Sequence, residues 1–373
     1  MSATKKSTLV LVAERAGVSI ASVSRVMNGL PASDAIVERV QKAADELGYV
    51  PDATARSLKA GKTQQIALAV ADAGNPVYVA MMHEISRVVT KAGYRLILSS
   101  TGSEPGDQID LLTNLNRGFA DGLVMSPLKV TDELVARIQA SRLPIVVIGS
   151  LPGDVEIDNV RADSVRGVGL AVEHLVEQGR QRIAFVNGPV DTVPGAARLG
   201  GYLRALDEQG LPHNADAQVN ARDFTYKAGL KAVTKLLDRS TPDSIVCAND
   251  LLAIAAIKVI TARGLRVPED IALVGMDDTD LAELANPSIT SVNLGSVKRA
   301  KTAAKLLLRR LEDPDAPVRR EVIQPTLTIR ESTSSPARPA VDPAANPAAR
   351  QAAGETAPAT PEPTRNQKRE PLL

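Results

Sequence analysis

VAERAGVSIASVSRVMN, residues 12–28, decides how the chain begins. Ala13 and Ala16 are small enough for two helices to pack closely, Gly17 stands where a helix ends at positive φ, and Ser19 is placed to cap the next helix. The spacing predicts a helix-turn-helix. On its second helix Val18, Val23 and Val26 turn inward, which leaves Ile20, Ala21, Ser22 and Arg25 for a DNA major groove, with Ser24 and Asn28 on the same stretch. An ordinary αα-hairpin fits these residues as well, so DNA binding needs support from elsewhere in the chain.

Composition narrows the classes around that hairpin. The chain has 373 residues, enough for two or three domains. Its single cysteine, Cys247, excludes an intramolecular disulfide and a cysteine-held zinc, and no cofactor is implied. The opening MSATKKSTLV has no apolar export segment, and no uninterrupted run of about 18 apolar residues follows. A cytoplasmic protein with no membrane partner is expected. Overall the formal charge is +1, yet residues 1–62 carry nine Lys/Arg against six Asp/Glu. That mild excess permits contact with nucleic acid without requiring it.

Beyond the hairpin the rhythm changes. Apolar runs at 66–70 (IALAV), 94–100 (YRLILSS), 122–126 (GLVMS) and 144–149 (PIVVIG) alternate with amphipathic stretches. The pattern restarts at 182–188 (RIAFVNG), 244–250 (SIVCAND) and 271–278 (IALVGMDD), with helices expected at 164–178, 196–209, 226–238 and 251–263. Repeating βα units predict two lobes, each a parallel sheet covered by helices. From about Ser334 the chain has eight Pro, ten Ala and no aromatic residue. Such a tail buries too little to order itself.

An amphipathic third helix (34–47) leads to LGYVPDATARSLKAGKT (47–63), and there the sequence resembles the LacI/GalR family of bacterial regulators. The likeness runs from about Thr8 to Ser332 through NPVY (75–78), VEHLVEQGRQRIAFVNGP (172–189), AND (248–250), GLRVPEDIALVGMDD (264–278) and TLTIRES (326–332). It implies an all-α helix-turn-helix headpiece (1–50), a hinge helix and linker (51–63), and an α/β two-lobed periplasmic-binding-protein-like core with parallel sheets (64–333); the tail (334–373), expected to be disordered from its composition, lies outside the likeness. Pro51 and Asp52 punctuate a hinge segment of only about two turns, too short to hold alone. In the family this helix pairs with its two-fold mate in the minor groove; Ala53 and Ala55 lie on it, and Leu58 matches the leucine wedged between base pairs.

The function so implied is a sequence-specific repressor, a homodimer on pseudo-palindromic double-stranded operator DNA, controlled by a small polar effector such as a sugar or sugar derivative. The resemblance places that effector between the lobes, which the chain crosses near residues 160–163, 291 and 325. Its contacts would come from Asn75, Val77 and Tyr78 after the first strand, Arg198 at the start of a helix, Phe224 after a turn, and Asn249 and Asp277 at two strand ends.

Some positions depart from the family. Val10 and Leu11 replace a usual polar pair, so a capping box opened by Thr8 lacks its acidic partner, and Gly149 stands where many sugar-binding members place Asp. Nucleobases, polyols and phosphorylated intermediates therefore remain open as ligands. Gly61-Lys62-Thr63 lacks the glycine and strand of a phosphate-binding loop, and Gly167-x-Gly169 lacks a dinucleotide fingerprint's third glycine. Two rival classes have less support. His83, His174 and His213 are scattered and sit in no catalytic motif, which argues against an enzyme. An exported solute-binding protein would need a signal peptide and no headpiece.

Overall fold

The computed structural model describes residues 8–50, 62–153 and 155–334; Ala53, Ala55, Leu58 and the tail from residue 335 lie outside the described residues. Three helices form the headpiece: α1 (Leu9–Ala16), α2 (Ile20–Met27) and α3 (Asp34–Leu47). Thr8 does cap α1, its side chain accepting from Leu11 N–H at 3.4 Å, so the cap forms without the acidic partner. Gly17 ends α1 at φ 62°, ψ 40°, a left-handed conformation that a side chain disfavours, and the Ser19 hydroxyl accepts from Ser22 N–H at 3.1 Å. Val12, Val23 and Val40 are fully buried among Ala13, Ala16, Ala43 and Ala44. Each valine contributes about 2 kcal/mol of hydrophobic burial, which is most of what so small a unit has.

The first lobe holds β1 (Gln65–Val70), β2 (Arg95–Ser100), β3 (Gly122–Ser126), β4 (Ile145–Ile148), β5 (Asn159–Ala162) and β11 (Arg320–Ile323). Their order is β11-β5-β4-β3-β1-β2, all parallel. Helices α4 (Pro76–Lys91), α5 (Pro105–Leu115), α6 (Asp132–Gln139) and α12 (Ser296–Glu312) belong to this lobe, and α12 packs on α4 and on β3, β4 and β5. The second lobe holds β6 (Ile183–Asn187), β7 (Gln218–Asn220), β8 (Ser244–Cys247), β9 (Ala272–Met276), β10 (Thr290–Asn293) and β12 (Thr326–Thr328), ordered β12-β10-β9-β8-β6-β7. Only β12 runs antiparallel. Its helices are α7 (Ser164–Glu177), α8 (Val193–Glu208), α9 (Tyr226–Arg239), α10 (Asp250–Ala262) and the short α11 (Asp280–Leu284).

The continuous apolar runs become β1, β3, β4, β6, β8 and β9, buried along their length as strands covered on both faces must be. The chain passes between lobes after β5, after β10 at 294–295, and between β11 and β12 at 324–325. The second passage thus lies a few residues beyond 291, because β10 runs on to Asn293 before the chain leaves the lobe. Gly167 and Gly169 are buried inside α7, where a Cβ on Gly167 would stand 3.0 Å from Leu294. Close helix packing accounts for that glycine.

Candidate functional site

In both sheets the first strand has neighbours on either side, β2 and β3 around β1, and β7 and β8 around β6. The chain leaves such a strand in opposite directions, which opens a crevice at its carboxyl end. The two crevices face each other across one cleft, whose enclosed space is about 150 Å³. All seven residues expected to contact an effector line it: Asn75, Val77 and Tyr78 from the first lobe, and Arg198, Phe224, Asn249 and Asp277 from the second.

Several of these side chains already have structural work. Asn75 caps α4, accepting from Val77 N–H at 3.1 Å. Asn249 caps α10 through Leu252 N–H at 2.9 Å and donates to the Phe224 carbonyl, also at 2.9 Å, so one amide hydrogen remains for a ligand. Phe224 lies where only glycine is tolerated beside it, since a Cβ on Gly188 would stand 2.2 Å from the ring. Arg198 sits in the second turn of α8 rather than at its start, because Thr192 caps the helix and Pro194 occupies its first turn. Its guanidinium is 5.7 Å from the Phe224 ring centre.

Asp277, with φ at 100°, follows β9 in a turn held from behind by Asp250. That buried carboxylate accepts from Ser291 Oγ at 2.6 Å and from Thr279 N–H and Oγ at 2.7 and 2.8 Å. The mouth of the cleft is bridged: Val193 N–H donates to the Leu128 carbonyl at 2.7 Å, and Lys129 pairs with Glu104 and Asp191 at 2.9 and 3.0 Å. The Val193–Leu128 and Lys129–Asp191 contacts join one lobe to the other, whereas Lys129–Glu104 lies within the first lobe.

In the headpiece, Ile20, Ala21 and Arg25 are exposed on one side of α2, Ser22 and Ser24 are half-buried, and Asn28 is exposed at the helix end. Val23 is buried and Val18 and Val26 pack against the same small core. The outward face is therefore the one the sequence pattern predicts.

Residues 8–52 match the family described as bacterial regulatory proteins, lacI family, and residues 172–333 match the periplasmic binding protein-like domain. The chain is 34% identical over 324 residues to the HTH-type transcriptional repressor PurR of Aliivibrio salmonicida, covering 86% of this chain and 97% of that protein. The chain belongs to the LacI family. It is accordingly a DNA-binding transcriptional regulator. Another relative, the HTH-type transcriptional regulator CelR of Thermobifida fusca, is 35% identical over 337 residues, 88% of this chain and 98% of that one. Among solved structures, a CelR–cellobiose complex matches with a TM-score of 0.67 at 34% identity, covering 87% and 99% of the two chains. A lac repressor dimer bound to operator and the anti-inducer ONPF matches with a TM-score of 0.79 at 26% identity, covering 88% and 99%.

The cleft of this LacI-family regulator also contains residues that reading the sequence missed. Ser126 at the end of β3, Arg161 and Asp163 at a lobe crossing, and Arg299 on α12 all line it. Ser126 follows the strand-end rule that found Asn249. Arg299 sits within SVKRAKTAAKLLLRRLE, a helix whose lysines and arginines read as a solvated face. Burial dominates the electrostatics: it pushes the Asp277 carboxyl up while Arg198 and Arg299 pull it back, and it pushes both arginines down. Burial, helped by the Asp277 charge, also raises Asp250 to about 7.

Among the described residues no group of His, Cys, Asp and Glu is arranged to hold a metal ion, and no helix is long and apolar enough to cross a membrane. His174 is buried with Nε2 2.8 Å from Thr333 Oγ1, a packing contact outside the cleft.

Proposed function

We propose that this regulator is a cytoplasmic homodimeric repressor that reads a pseudo-palindromic operator and releases or tightens on it when a sugar or sugar derivative enters the interlobe cleft. One observation carries the reading: a single chain presents an exposed α2 face with Ile20, Ala21 and Arg25 and, separately, a polar cleft floored by Arg198 and Asp277. Residues 1–50 serve as headpiece, 51–63 as hinge and linker, and 64–333 as effector-binding and dimerisation core. Thr8, Ser19, Ile20, Ala21, Ser22, Ser24, Arg25 and Asn28 form the groove-facing set, and Ala53, Ala55 and Leu58 act at the hinge.

A sugar is favoured by the CelR relative solved with cellobiose, and a dimer on DNA by the lac repressor dimer bound to operator. The cleft binds without turnover. Its Ser126 hydroxyl donates to the Ile148 carbonyl at 3.0 Å rather than to a base, so no activated nucleophile faces the ligand space there. An effector acts only through its different affinity for the two lobe arrangements, and the cross-lobe bridges at Leu128 and Lys129 are contacts that opening would break.

Operator titrations and calorimetry on full-length variants test this. Leu58→Ala should weaken operator binding and leave effector affinity of the DNA-free protein nearly unchanged, whereas Asn249→Ala should abolish the effector response. Operator affinity and response both untouched by Leu58→Ala would remove the hinge from the mechanism.

A further inference from the structure

The floor of the cleft has more cationic hydrogen-bonding capacity than the protein uses. Arg198 is 7% exposed, and its Nε has no hydrogen-bond partner. Its approach to Asp277, 3.6 Å from Nη2 to Oδ1, is too long for a hydrogen bond. Arg299 spends Nε–H on the Leu294 carbonyl at 3.1 Å; among the described residues its terminal nitrogens meet no acceptor within hydrogen-bond distance. A buried guanidinium N–H is normally satisfied, and Arg198 Nε is not. Arg299 is half-buried, so Arg198 with the terminal nitrogens of Arg299 offers permanently charged donors to an acceptor that arrives from outside.

The charge of the lining points the same way. Its charged residues are Arg161, Arg198 and Arg299 against Asp163 and Asp277. Asp163 is committed to capping α7, accepting from Arg166 N–H at 3.0 Å, and Asp277 lies between two arginines that both act on it. The first-lobe wall adds Arg161 and Arg299 to the neutral polar groups Asn75, Tyr78, Ser126 and Ser150, and carries no carboxylate. The amino ends of α4, α7, α8 and α10 also open onto the cleft, adding partial positive charge. A neutral sugar would bring as many donors as acceptors to a floor already rich in donors. A phosphate or carboxylate brings acceptors and the missing negative charge together, in the fork geometry a guanidinium prefers.

We infer that the effector of this regulator is anionic, a hydroxyl-rich small molecule bearing a phosphate or carboxylate that is received between Arg198 and Arg299. The inference rests on the cleft being the effector site. Asn249 and Asn75 then address hydroxyls, Phe224 covers the apolar ring face, and Arg299 distinguishes a charged sugar from its neutral parent.

Calorimetry on the full chain at fixed ionic strength compares glucose with glucose 6-phosphate and glucuronate, ribose with ribose 5-phosphate, and cellobiose as a neutral disaccharide. At least one anionic probe should bind tenfold or more tighter than its neutral parent. Arg299→Met should reduce that preference to less than threefold, and Arg299→Lys should restore part of it; thermal melting of each variant confirms that the core is folded. If no anionic probe is preferred, or a neutral sugar binds as tightly and loses binding in Asn249→Ala, the anion assignment is overturned while the cleft stands. Binding of an anionic probe that survives both Asn249→Ala and Arg299→Met would overturn both readings.

Discussion

Replacing Asp277 by Asn probes how charge is held at the floor of the cleft. The ion pair to Arg198 spans 3.6 Å with both side chains 8% exposed. At an effective dielectric near 20 its Coulomb attraction is roughly 5 kcal/mol, and desolvation of several kcal/mol per ion offsets it because neither partner gains a hydrogen bond from the other. Asp277→Asn keeps the shape but leaves Arg198 and Arg299 without their shared anion. Breaking a buried pair in this way costs about 3–5 kcal/mol, a fall in core melting of roughly 6–20 °C. The double variant Arg198→Met/Asp277→Asn removes one charge of each sign, and its stability should return to within about 1 kcal/mol of the parent or exceed it. Scanning calorimetry of the ligand-free full chain at neutral pH measures both. Should Asp277→Asn melt with the parent, and the double variant no higher than the single, the charges are solvated independently and the buried-pair account fails.

Three further outcomes are expected. Arg25→Ala should lower specific operator affinity by about 1–3 kcal/mol, and exchanging Ile20 and Ala21 should change the preferred operator; fluorescence anisotropy at fixed salt reads both, and an equal loss on every DNA sequence would make Arg25 a phosphate contact instead. Burial raises Asp250 to about 7, so the folded state holds a proton that the unfolded chain has released. Stability from this group is full below about pH 4, the unfolded carboxyl range, and is lost as pH climbs through 7; urea unfolding across that window should show Asp250→Asn with a flatter profile, and parallel profiles would mean Asp250 is ionised throughout. Deleting residues 336–373 should leave a dimer of unchanged operator affinity, because that Pro- and Ala-rich segment has no apolar heptads to join dimers; a tail-dependent tetramer in sedimentation would refute this.

The headpiece was legible because its signals are local: Gly17 at a left-handed turn, Ser19 at a cap, and valines spaced to one side of α2. The central strands were legible because IALAV, GLVMS and IAFVN are apolar throughout. Of the edge strands only β2, within YRLILSS, was legible. QVN in β7, REVI in β11 and TLT in β12 are short and partly exposed, and their pairing depends on partners far away in sequence. The seven expected cleft residues came from the family resemblance together with the rule that ligands bind beyond the carboxyl ends of strands. That rule fits Asn75, Asn249 and Asp277 and does not by itself pick out Arg198 in the second turn of α8. Arg299 escaped because only the tertiary crossing of α12 turns one basic residue among several toward the cleft.

The third passage between the lobes also bears on how the protein is made. Each sheet takes an edge strand from the same late stretch, β11 for the first and β12 for the second. On a ribosome the headpiece can fold as soon as α3 emerges, but the first lobe must wait for α12 and β11. At about 5–20 residues per second, synthesis from β5 at Ala162 to the end of β11 at Ile323 takes roughly 8–32 seconds. Throughout that interval the nascent chain carries a finished DNA-reading module joined to a sheet whose β5 edge is unpaired, exposed to chaperones and to pairing with a neighbouring nascent copy.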